Sequence, residues 1–122
     1  MTGEQTARLC AKYADDKKAE DIVILDVSEI SPICDYFVIC TASSAPHLRA
    51  VRDEIDEQMH DQHGEMPRLR DDHLDSQWLI LDYSDVMVHV FQAEKREFYN
   101  LEELWGDGKR VAWEPEQPAK KS

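Results

Sequence analysis

Glycine is scarce in this chain, with four in 122 residues. Loops that cradle phosphates are built on glycine, because a residue without Cβ lets backbone N–H groups close on the anion. No G-x-G-x-x-G, no G-x-x-x-x-G-K-[ST] and no G-x-S-x-G pattern occurs. The loops that would signal a dinucleotide site, a nucleoside triphosphate site or a serine hydrolase are therefore missing. Cysteine is equally thin: Cys10, Cys34 and Cys40 are odd in number and hold no C-x-x-C spacing. This argues against a disulfide framework or a zinc site and leaves buried, reduced thiols as the expectation. No apolar run approaches the roughly 20 residues of a membrane span. The opening MTGEQTARLC carries no apolar signal core, so a cytoplasmic location without a membrane partner is expected.

Basic residues are also in short supply: 14 Lys and Arg face 26 Asp and Glu, for a net charge of -12. A field of that sign repels phosphate backbones and anionic headgroups and speeds encounter with cations. Direct nucleic-acid binding is disfavoured, and a basic protein is the favoured kind of partner. The length suits one packed core, and 42% hydrophobic residues are enough to fill it.

Apolar residues at helical spacing, Ala7, Cys10, Tyr13 and Ala14, predict a first amphipathic helix from Thr6 to Lys17. "DIVILDV" (Asp21 to Val27) and "DYFVICTA" (Asp35 to Ala42) are β-branched runs of strand length, parted by the turn signal Ser31–Pro32. A second helix starts near Ser44 or Ala45, tolerates Pro46 in its first turn, buries Leu48, Val51, Ile55 and Met59 on one stripe, and stops at Gly64. A short strand is expected around Met66 to Arg70. After a hairpin come a short helix, a break at Asn100 and a last turn ending at Gly106, with Phe98, Leu101 and Leu104 expected in the core. Residues 1–108 form the expected domain and 109–122 a mobile tail. The order of elements gives an α/β fold, a mixed β-sheet flanked by helices and joined by a crossover.

The hairpin "WLILDYSDVMVHVF", Trp78 to Phe91, places an Asp and a His among apolar residues. With a two-residue turn at Ser84–Asp85, alternation puts Leu79, Leu81, Tyr83, Val86, Val88 and Val90 on one face. Trp78, Ile80, Asp82, Met87, His89 and Phe91 fall on the other. The first face is what helices cover. The second mixes aromatic and Met area with oriented polar groups, as recognition surfaces do. The candidate partner-binding residues are Trp78, Ile80, Asp82, Tyr83, Ser84, Asp85, Met87 and His89, with Asp82 and Asp85 meeting Arg or Lys of the partner.

No catalytic or metal constellation stands out. Asp82 and Asp85 need not converge on one spot. His60 and His63 lack a third ligand, and Cys34 with His47 lacks an orienting group. No enzyme activity, cofactor or metal is expected.

The segments "KKAEDIVILDVSEI", "DYFVICTASSAPHLRAVRDEI", "WLILDYSDVMVHVF" and "REFYNLEELWGDG", in this order, resemble the Iojap family, the ribosomal silencing factors. The resemblance runs from about Leu9 to Gly108. It implies an α/β domain similar to the nucleotidyltransferase fold but without catalytic carboxylates. It also implies binding to large ribosomal subunit protein fourteen at the face that meets the small subunit, so that subunit joining is blocked and translation repressed. A homodimer in the free state is implied as well. The chain departs from the family pattern at Ala42, at Ser84 and at Asp71–Asp72, where a glycine, the turn glycine and Glu-Gly are usual. Alternatives are an assembly factor for the large subunit, or a nucleotide-binding enzyme of the same fold that would use Ser43–Ser44.

Overall fold

The computed structural model describes residues 1–71 and 77–113. The first helix, α1 (Gly3–Asp16), begins earlier than the apolar spacing suggests because Thr2 caps it. Thr2 Oγ1 accepts from the Gln5 amide, and the Gln5 side chain accepts from the Thr2 amide, which satisfies two of the donors a helix start leaves open. Strands β1 (Glu20–Asp26) and β2 (Tyr36–Ala42) pair antiparallel, with a bulge near Asp21. Helix α2 (Ala45–His63) is capped by Ser44 Oγ, which accepts from the His47 amide, and ends at Gly64 with φ +67°. That left-handed C-terminal position is one that glycine takes without strain.

The chain continues through β3 (Leu69–Asp71), β4 (Trp78–Asp82), β5 (Val86–Gln92), α3 (Ala93–Tyr99), α4 (Leu101–Leu104) and β6 (Lys109–Val111). The sheet order is β3-β4-β5-β2-β1-β6. β2 and β5 pair in parallel, which obliges the chain to cross over between them through α2. The expected mixed sheet with flanking helices is thus found.

Helices α1 and α2 lie on one face. Beneath them Leu79, Leu81, Tyr83, Val86, Val88 and Val90 join Ile24, Val38 and Cys40 from the neighbouring strands and Leu48, Val51, Ile55 and Met59 from α2 in one buried cluster. Each such aliphatic contributes about 1.5 to 3 kcal/mol by leaving water. The other face carries a smaller cluster around Leu25, Val27, Phe37, Ile39 and Phe91, partly roofed by Leu101 and Trp105. All three cysteines are buried and free.

Three further details depart from the sequence expectations. The strand after α2 is shorter and later, Leu69–Asp71 rather than Met66 to Arg70. The tail does not begin at residue 109, because Lys109–Val111 pairs with β1 as the sheet's edge, and the Trp113 indole N–H donates to the Ile22 carbonyl. Gly108 permits this entry: a Cβ there would sit 3.0 Å from the Asp26 carbonyl oxygen. The rest of the expected tail, 114–122, lies outside the described residues. Finally, Phe98 and Leu104 are not core but 76% and 70% exposed, on the two short helices α3 and α4 that a left-handed break at Asn100 (φ +46°) separates.

Candidate functional site

The hairpin register is the one that alternation predicts: Trp78 opposes Phe91, Ile80 opposes His89 and Asp82 opposes Met87. Its turn is tight, with the Tyr83 amide donating to the Val86 carbonyl. Ser84 stands at φ +76°, where a residue with a Cβ is strained. Asp82 offsets that strain: its Oδ1 accepts from the Ser84 amide at 2.8 Å, an Asx-type turn. Its Oδ2 lies 3.1 Å from Arg68 Nη2.

The eight candidate residues share this hairpin but not one exposure. Ser84 and Asp85 are exposed at the tip, while Trp78, Ile80 and Met87 are half-buried on the face away from α1 and α2. Asp82 and His89 occupy the same face yet are 3% and 4% exposed, and Tyr83 lies in the cluster beneath the helices. Tyr83, expected among the docking residues, is instead held beneath α1 and α2, because strand alternation points it to the opposite face from Asp82. Asp82 does not present a free carboxylate to a partner, since both oxygens serve the hairpin's own backbone and Arg68.

His89 sits in an aromatic cluster. Phe37 meets it edge-on at 5.1 Å and Phe91 lies parallel at 6.1 Å. The Trp78 indole N–H donates to His89 Nδ1 at 3.1 Å, which assigns the neutral ring's proton to Nε2. Burial pushes the imidazole down to about 3, against the Asp82 charge that raises it. An unfolded His titrates near 6.5, so between those values the unfolded chain binds a proton that the folded one refuses. This share of stability is complete above pH 6.5 and is lost as pH falls toward 3. By pH 5 the loss from this one group is about 2 kcal/mol, at roughly 1.4 kcal/mol per pH unit. Urea midpoints at pH 7 and pH 5 should differ less for His89→Phe than for the natural protein; parallel profiles would remove the claim.

The C-terminal helices complete the surface. The Arg96 guanidinium makes a two-pronged pair with Glu102, at 3.0 and 3.1 Å, and donates to Thr41 Oγ1 at 2.8 Å. It thereby ties α3, α4 and β2 together in a half-dry setting where such pairs matter more than at the surface. Its guanidinium in turn holds the Glu102 carboxyl below the usual range. Trp105 packs edge-on against Phe37 at 5.5 Å, and Tyr99 lies 4.7 Å from Trp78. The result is a run of ring contacts from Trp78 through Tyr99 to the exposed Phe98, while Leu104 is exposed on the adjoining helix α4. Sequence spacing missed Phe98 and Leu104 as surface residues; their proximity to Asn100, a residue that tolerates left-handed backbone, was the available signal.

Carboxylates line the neighbouring cleft of about 430 Å³, where Glu20, Asp21, Glu94, Glu97 and Glu102 surround the already paired Arg96. A partner meeting this side finds apolar area with an anionic border. Elsewhere the polar groups are spent internally. His47 accepts from the Ser43 amide and its Nε2 bonds the Lys17 carbonyl, linking the start of α2 to the end of α1. Tyr13 bonds His63. Burial pushes the Cys34 thiol up to about 11, so it is no thiolate nucleophile. Among the described residues no cluster of three or more His, Cys, Asp or Glu could hold a metal ion, and no helix is long and apolar enough to cross a membrane.

The chain is 39% identical over 107 residues to "Ribosomal silencing factor RsfS" of Bacillus subtilis, a match covering 88% of this chain and 90% of that one. It is 38% identical over 114 residues to the protein of the same name from Halalkalibacterium halodurans, covering 93% and 97%. A crystal structure of a Chromobacterium violaceum protein shares the fold with a TM-score of 0.82 at 24% identity, over 100% of both chains. Residues 1–122 match the family described as "Ribosomal silencing factor during starvation". On that match and those identities, the chain belongs to the ribosomal silencing factor family.

Proposed function

We propose that the protein is a non-catalytic translation repressor that docks on the large ribosomal subunit and, by occupying the face that meets the small subunit, prevents the two from joining. The observation that carries this reading is the family match over the whole chain; the names of its relatives are those of regulatory factors rather than enzymes. Ribosomal protein L14, as the resemblance implies, is the proposed contact, and the cytoplasm the proposed location.

Physical features support such docking. Trp78, Tyr99 and Phe98 in ring contact, Ile80 and Met87 on the same hairpin face as Trp78, and the exposed Leu104 of α4 offer apolar area that a monomer seldom leaves open without a use. Its carboxylate border suits a basic protein, as does the net charge of -12. Asp85, exposed at the hairpin tip, remains available for a charge-assisted contact, whereas Asp82 does not. The same surface would join two copies in the free state, so that a homodimer exchanges one apolar contact for another on meeting the ribosome. A nucleotide-binding role finds little support: Ser44 caps α2 and the Ser43 amide is bonded to His47.

Occupancy acts by mass action, since a docked factor must leave before the small subunit binds, and joining weakens as the factor's concentration exceeds its Kd. Purified subunits sedimented with the protein should show it with large subunits only, and the joined-ribosome peak should shrink as it is added. Protein left at the top of the gradient, or an unchanged joined peak, would overturn the proposal. Accumulated precursor particles in a deletion strain, with joining unaffected, would favour a role in assembly instead.

A further inference from the structure

The Trp78 ring lies 4.9 Å from Phe91 at an interplanar angle of 22° and 4.7 Å from Tyr99 at 43°. Stacking of this kind secures ring area but does not choose the direction of the indole nitrogen, because a half-turn about the side chain retains most of the contact. A bond to a fixed acceptor does choose it, and His89 Nδ1 is that acceptor. The imidazole is an unusual occupant of its site. It is 4% exposed among aromatic rings, and its Nε2 has no partner among the described residues. A Phe or Leu at that strand position would bury apolar area without desolvating a ring nitrogen or leaving one unpaired. Asp82 cannot take over the work, since its oxygens are engaged by the Ser84 amide and Arg68. What the imidazole adds is its effect on Trp78.

We infer that His89 is the positioning residue of the docking face: by accepting the Trp78 indole N–H it fixes the orientation of a half-buried aromatic that the partner meets. The inference rests on the docking surface proposed above. Its physical content is pre-organisation. A large side chain already held in its bound orientation loses less freedom on association, worth about a tenfold gain in affinity for one such residue.

The test joins a double-mutant cycle to a readout at the indole itself. In ¹⁵N-labelled protein the Trp78 side-chain resonance, assigned by its loss in Trp78→Phe, should exchange slowly with solvent. His89→Phe should speed that exchange at least tenfold, whereas His89→Gln, whose amide oxygen can accept, should keep part of the protection. Large-subunit binding should weaken about tenfold in His89→Phe, as one pre-ordered side chain implies, and should not change further when His89→Phe is added to Trp78→Phe. Undisturbed indole exchange in His89→Phe, or an equal binding loss in the Trp78→Phe background, would overturn the inference. If the natural protein fails to bind subunits, the docking surface is what fails, and indole exchange alone then decides whether His89 holds Trp78.

Discussion

Asp82→Lys should cost the fold about 3 kcal/mol or more, because it leaves the Ser84 amide without its acceptor and puts a cation at a buried position. The carboxylate is 3% exposed and serves two local roles, bonding the Ser84 amide at φ +76° and facing Arg68. Lysine offers no acceptor for that amide, places a cation beside Arg68, and must either bury its charge or open the hairpin tip. Arg68 itself is largely exposed and loses little by going unpaired, so the cost arises at the turn and the buried position. Asp82→Asn keeps an oxygen for the Ser84 amide and should cost only about 1 kcal/mol. Urea unfolding with unchanged slope would read both shifts as changes in midpoint. A midpoint for Asp82→Lys equal to that of the natural protein would show that the carboxylate is not structural. The consequence for function is direct: loss of ribosome binding in Asp82→Lys would report a damaged hairpin rather than a missing contact.

The hairpin shows where sequence reasoning reaches and where it stops. Alternation along Trp78 to Phe91 places every side chain on its face, and a two-residue turn at Ser84–Asp85 then fixes the register pair by pair, since a slip of one residue would turn the buried face out. Alternation is silent about what covers each face. Asp82 and His89 fall on the face away from α1 and α2 as expected, yet one is turned in to hold the tip and the other lies within a ring cluster completed by Phe37, a residue fifty-two positions earlier in the chain. The Asx turn was within reach, since Asp two residues before a strained Ser is its local signature. The Phe37 contact required the parallel β2–β5 pairing, which no local pattern encodes. Short elements were the other blind spot. Lys109–Val111 is too brief to alternate, and Phe98 and Leu104 lie on helices of 7 and 4 residues separated by the left-handed break at Asn100.

These two short helices supply the second large effect. Replacing both Phe98 and Leu104 with Asp should weaken large-subunit binding by a hundredfold or more, since buried apolar anchors at interfaces are worth about 2 kcal/mol each when truncated. Both side chains are mostly in water in the lone chain, so the fold should change by no more than about 0.5 kcal/mol, as for ordinary surface substitutions. The separation of binding from stability is the point of the experiment: core residues would lose both together, and residues of no consequence would lose neither. Glu57→Lys, on the exposed side of α2, is the matched control; it alters charge away from the docking surface and should leave binding within about twofold, the range of a screened surface charge. Added salt should weaken the natural protein's binding by screening its attraction for a basic partner, but it should not restore the double variant, because that loss is of apolar contact rather than of charge. Full binding by the double variant at an unchanged melting temperature would take α3 and α4 out of the docking surface and confine it to the half-buried Trp78, Ile80 and Met87.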